Sequence, residues 1–123
     1  MSSRWIWTRK LTAVIFLAHG GAKILGFPSH ADTVVAMLGL PLFMAGLIGL
    51  VEVLGGLALA CDRSAFYAAV LLALVSSLAT LSHVALLSAN PAFPLTMLII
   101  CVSLAHNLGT TFSRDDRSRG RYG

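Results

Sequence analysis

Residues 39–61, GLPLFMAGLIGLVEVLGGLALAC, decide the fold. The run is apolar except for Glu52 near its middle. A helix crosses a bilayer with about 20 residues at 1.5 Å each, so this stretch is long enough to span. A lone carboxylate at that depth costs roughly 2.5–3.5 kcal/mol on insertion scales, and something must offset it. Ala45, Gly49 and Gly56 share the helix face of Glu52, and Gly55 stands beside them. Small side chains let neighbouring helices approach closely. These four are the expected helix-packing positions, and Glu52 is expected to face other helices, not lipid.

The composition agrees. Of 123 residues, 57% are hydrophobic and 11% charged, where a soluble domain carries about 25% charged residues. Mean hydropathy is +0.84. One integral membrane unit is expected, contacting lipid, with no separate soluble catalytic domain. The net charge is +4, but the basic residues flank apolar runs without aromatic interleaving. They read as membrane-orienting charges, which excludes a nucleic-acid partner. Cys61 and Cys101 lie in different apolar runs with no metal-ligand spacing, so no metal site is expected.

Four spanning helices are predicted: residues 5–27, 41–61, 65–87 and 95–112. Arg4, Arg9 and Lys10 around Trp5 and Trp7 mark a membrane interface before the first. A basic start and an apolar core also suit a signal peptide, but the apolar pattern continues past His19 and Lys23, and Ala18-His19-Gly20 is a poor cleavage site. After Pro28, Ser29 and Asp32 fit a capping box. They open a short amphipathic helix at the interface, ending at Gly39. Pro41 then suits the first turn of the second span. Residues 113–123 hold four arginines and two aspartates and are read as a disordered tail. Eight basic residues fall on one side of this arrangement and only Lys23 on the other. The basic side is cytoplasmic by the positive-inside rule, which places both termini there.

Each span carries a polar stripe at helical spacing: His19 and Lys23 on the first, Glu52 on the second, Ser76, Thr80 and His83 on the third, Thr96, Ser103, His106 and Thr110 on the fourth. The fold class is therefore all-α, a transmembrane four-helix bundle with its polar groups inside. Side chains lean toward their helix N-terminus. That lean carries His19, Lys23 and His83 inward and Glu52 outward, so all four can converge. His106 is a weaker candidate, and His30 reads as interfacial. The cluster serves either as a buried pair that sets helix register or as a binding or proton-handling site. No catalytic residue is assigned.

His19-Gly20-x-x-Lys23-x-x-Gly26-Phe27, then Gly39-Leu-Pro41, then Gly49-Leu-Val-Glu52-Val-Leu-Gly55-Gly56, then a polar turn and a late His83, resembles the DoxX family of small four-helix bacterial membrane proteins. The resemblance implies the bacterial cytoplasmic membrane and a link to redox or quinone chemistry. The leading expectation is an accessory subunit of a larger membrane oxidoreductase complex, or a homo-oligomer, without a redox centre of its own. The alternative is a quinone-reactive subunit using Glu52 with His19, Lys23 and His83. A bis-histidine haem through His19 and His83 is disfavoured, because no CxxCH is present and Lys23 and Glu52 would crowd it.

Overall fold

Local chemistry sets where each helix stops. In the computed structural model, which describes residues 2–121, the chain forms α1 (Ser3–Ile24), α2 (His30–Met37), α3 (Phe43–Ala60), α4 (Ala65–Ala85) and α5 (Ala92–Gly120). Gly26 and Gly39 take φ of +85° and +68°, a left-handed backbone that glycine adopts without strain. They close α1 and α2 by returning backbone N–H groups to the last turn: Phe27 to Ala22 O and Leu40 to Val35 O, both at 3.0 Å. This ends α1 before Phe27, earlier than periodicity predicts. Asp32 accepts the Ser29 backbone N–H at 2.9 Å, as the capping-box reading requires. Pro41 sits in the turn ahead of α3, outside its first helical turn.

α3, α4 and α5 are each long and apolar enough to cross a membrane. α1 has 22 residues but carries Arg4, Arg9, Lys10 and Lys23. The structure therefore distinguishes three plainly apolar helices from a charged first helix, where the sequence pattern suggests four equivalent spans. Leu47, Leu54, Leu74 and Ile99 are all exposed, as side chains facing lipid would be.

The fourth predicted span also differs. α5 begins at Ala92, so Pro94 falls in its first turn, where no N–H needs a helical partner. At the other end α5 continues through the expected tail to Gly120. No proline interrupts residues 95–120, and extending an existing helix costs far less than starting one. Asp115 and Arg119 pair one turn apart at 3.3 Å on this exposed extension.

The helices pack as two tight pairs, α1 with α3 and α4 with α5, joined by α3 against α4. Across α1 and α3, Gly20 lies against Gly49 and Ala13 against Gly56, so the helices run antiparallel. The apolar core lies around Leu59, Leu72, Cys101 and Leu104. At one end Arg9, only 8% exposed, donates to Asp62 at 2.6 Å and ties α1 to the α3–α4 turn. Arg9 reads from sequence only as an orienting charge.

Candidate functional site

The α1–α3 seam is where Glu52 finds its partners. A Cβ on Gly20 would stand 2.5 Å from the carbonyl oxygen of Gly49, and one on Gly49 would stand 2.7 Å from the carbonyl oxygen of Gly20. Only glycine permits that approach at both positions. The seam holds Lys23 one turn beyond Glu52, and the opposed lean closes the gap. Lys23 Nζ donates to Glu52 Oε1 at 2.6 Å, with the two side chains 8% and 5% exposed. His19 Nδ1 lies 3.2 Å from Glu52 Oε2. The carboxylate thus engages both oxygens, and one cation balances its charge.

The helix-packing positions divide by partner. Gly49 and Gly56 face α1, whereas a Cβ on Gly55 would meet Leu72 of α4 at 2.7 Å. Ala45 is buried. Gly20 is a further contact residue whose part in packing the pattern around Glu52 does not reveal; its signal lies in its position one residue after His19.

His83 does not join the carboxylate. Its Nδ1 bonds the Ala79 carbonyl one turn back at 2.7 Å, and its Nε2 lies 3.1 Å from His30 Nδ1. The cluster therefore contains His19, Lys23 and Glu52, and His83 pairs instead with His30. The cause is α2, which brings its first residue to the end of α4. Nothing in the helical spacing of either segment signals that meeting.

A cavity of about 480 Å³ is lined by residues of both polar groups. His19, Lys23 and Glu52 line it, together with His30 and His83. Apolar wall comes from Phe16, Val51, Val75 and Met97, among others. His19, Lys23, Ser29 and His30 also border a second cleft between the end of α1 and the start of α2. This volume and mix of surfaces are those of a small-molecule pocket. Phe93 sets its ring 5.5 Å from that of His19.

The polar stripes of α4 and α5 contribute less than expected. Thr80, Thr96 and Ser103 each donate to the carbonyl four residues back in their own helix. His106 is exposed. Among the described residues, no group of three or more His, Cys, Asp or Glu side chains is arranged to hold a metal ion.

An apolar helical bundle with a buried charge-paired carboxylate beside a cavity is that of a small helical membrane protein. Residues 5–85, well over half of the chain, match the family model described as DoxX, and the chain belongs to the DoxX family. The match includes nearly all of α1, all of α2 to α4, and His19, Lys23, His30, Glu52 and His83; α5 follows it. Neither the curated proteins nor the solved structures compared with the chain contain a match.

Proposed function

We propose that this DoxX protein is an accessory subunit of an oxidoreductase complex in the bacterial cytoplasmic membrane, and that its cavity binds a quinone. The observation that carries the reading is the cavity itself: an apolar slot of about 480 Å³ with hydrogen-bonding groups at two places on its wall. A quinone ring has that character, flat and apolar with polar oxygens at opposite ends. The His19–Lys23–Glu52 cluster and the His30–His83 pair, which both line the cavity, would engage those oxygens. A bound quinone supplies two-electron redox chemistry. The side chains around it bind, orient and exchange protons, so electrons come from a partner protein. The family membership supports the membrane assignment.

The test is binding by the purified chain in detergent. A benzoquinone with a ten-carbon tail should bind saturably in at least one redox form. Ala79→Trp, which fills the cavity from α4, should abolish binding while helical content is kept. Absence of saturable binding of either form by the folded chain overturns the reading.

The same proposal includes topology. α1 spans with α3, α4 and α5, because its charges are placed where a span tolerates them. Arg4, Arg9 and Lys10 lie at one end, and Lys23 is neutralised by Glu52. Both termini are then cytoplasmic by the positive-inside rule. Reporter fusions after α5 should report the cytoplasm, and fusions within α2 the opposite side. A C-terminus on the outer side excludes this topology.

A further inference from the structure

The charges of the chain are sorted between its two ends. Arg9 in α1 bonds Asp62 in the α3–α4 turn, and a Cβ on Gly109 of α5 would stand 3.2 Å from the Phe66 ring at the start of α4. The start of α1, that turn and the last part of α5 therefore share one end. Eight basic and three acidic side chains lie there, against Lys23, Asp32 and Glu52 toward the other. Two of the three acids are already engaged, Asp62 by Arg9 at 2.6 Å and Asp115 by Arg119 at 3.3 Å. The excess positive charge is left to exposed residues, and α5 holds the largest share of it.

Helix geometry sorts the α5 charges again. At 3.6 residues per turn, Arg114, Arg117 and the C-cap Arg121 fall within an arc of about 60°. Asp115, Asp116 and Arg119 fall outside it. The arc continues the exposed Ile99 and lies away from the buried Met97, Cys101 and Leu104, so it points out of the bundle. Depth agrees with direction. Residues 92–112 rise about 31 Å, close to the thickness of a hydrocarbon core, and all of α5 about 44 Å, that of a bilayer with its headgroups. Arg114 and Arg117 then stand at headgroup depth. Helical side chains lean toward the helix N-terminus, here back toward the membrane, so the long side chain of Arg121 reaches the same layer.

We propose, on the spanning topology above and independently of the quinone, that Arg114, Arg117 and Arg121 form a binding stripe for anionic phospholipid headgroups. A guanidinium fork matches two phosphate oxygens, and three forks on successive turns can hold one phosphodiester or bridge two. A choline headgroup offers the same phosphate but brings its own cation to the stripe. A glycerol headgroup leaves the phosphate charge uncompensated, so phosphatidylglycerol is the preferred occupant. Lipid is favoured over an acidic protein by position: the stripe runs on from a lipid-facing surface, and its side chains lean back into the headgroup layer.

The experiment places the full chain in phosphatidylcholine vesicles and adds trace phosphatidylcholine or phosphatidylglycerol, each spin-labelled near the end of one acyl chain. Electron paramagnetic resonance separates lipid held at the protein surface from free lipid and yields the relative association of the two headgroups. Phosphatidylglycerol should be preferred about threefold or more. Arg114→Gln, Arg117→Gln and Arg121→Gln combined, all at exposed positions, should remove most of that preference with helical content kept. Arg4→Gln, Lys10→Gln and Arg63→Gln combined take the same charge from the same end and should leave most of it. Equal association of the two headgroups overturns the inference in favour of an acidic protein as the occupant. A preference unchanged in the α5 variant, or lost equally in both, overturns it as well. Each of these results leaves the spanning topology standing, whereas a chain that holds neither labelled lipid overturns that topology too.

Discussion

The two helix pairs are built by different means. α1 and α3 meet backbone to backbone at Gly20 and Gly49, and the seam carries the buried Lys23–Glu52 pair. α4 and α5 meet through side chains, with Ala65, Ala69 and Leu72 buried on one and Met97, Cys101 and Leu104 on the other. Their hydroxyl groups turn back on their own helices. The difference follows from what each pair holds. A charge pair in an apolar medium needs short, fixed geometry, because its attraction must offset the loss of hydration. Apolar packing tolerates adjustment, since many weak contacts share the load. The cavity opens between the rigid pair and the adjustable one.

The largest break in that comparison is electrostatic. Lys23→Met leaves Glu52 buried with only His19 as a partner, and losing one member of a buried pair costs about 3–5 kcal/mol. Glu52→Leu in the same chain removes the stranded charge and should recover most of that loss. Thermal stability in detergent of the two single variants and the double variant measures the coupling. Additive losses would show that the seam does not depend on the pair. His19→Phe should cost less, about 1.5 kcal/mol, because Lys23 still balances the carboxylate.

The glycine contacts come next. Gly49→Ala sets a methyl group 2.7 Å from both the Gly20 carbonyl oxygen and the Lys23 Cβ, and the backbone at one of those contacts cannot move aside. Overpacking of this kind costs about 1–3 kcal/mol. Gly55→Ala meets the Leu72 side chain and no backbone atom, so its cost should be smaller. Gly46→Ala meets nothing within 4 Å, and its gain in helix propensity is up to about 1 kcal/mol. Melting temperatures should rank the three in that order. A Gly49→Ala variant as stable as Gly46→Ala would mean that the α1–α3 seam is not close-packed.

Much of the rigid pair was legible from residue spacing, and little of the adjustable half was. Glu52 announces itself as a carboxylate in an apolar run, the small residues around it mark its packing face, and the opposed lean of Lys23 brings them together. All three are properties of single helices. The placement of α2 is not. His30 meets His83 only because a short helix folds over the end of α4, a tertiary event without a periodic signal. That is why His83 reads as a partner of Glu52 and His30 as peripheral. The length of α5 escaped for the opposite reason. Charge-rich composition points to disorder, while helix propagation from an apolar span carries local order onward to Gly120.

The smallest expected effect tests the adjustable pair. Polar stripes on α4 and α5 suggest hydrogen bonds across the helices, but Ser103 Oγ donates to Ile99 O at 2.8 Å and Thr96 Oγ1 to Ala92 O at 2.6 Å, both within α5. Each of these carbonyls is already placed to accept a backbone N–H one turn on, so the hydroxyl is a second partner. Removing it strands no donor and leaves the carbonyl satisfied. Ser103→Ala and Thr96→Val should therefore change stability by no more than about 0.5 kcal/mol, the range of substitutions that touch no special feature. The same detergent melts measure it. A loss above about 1.5 kcal/mol for either variant would show a polar contact between helices at that position, and the division into a charge-pinned pair and a side-chain-packed pair would fail there.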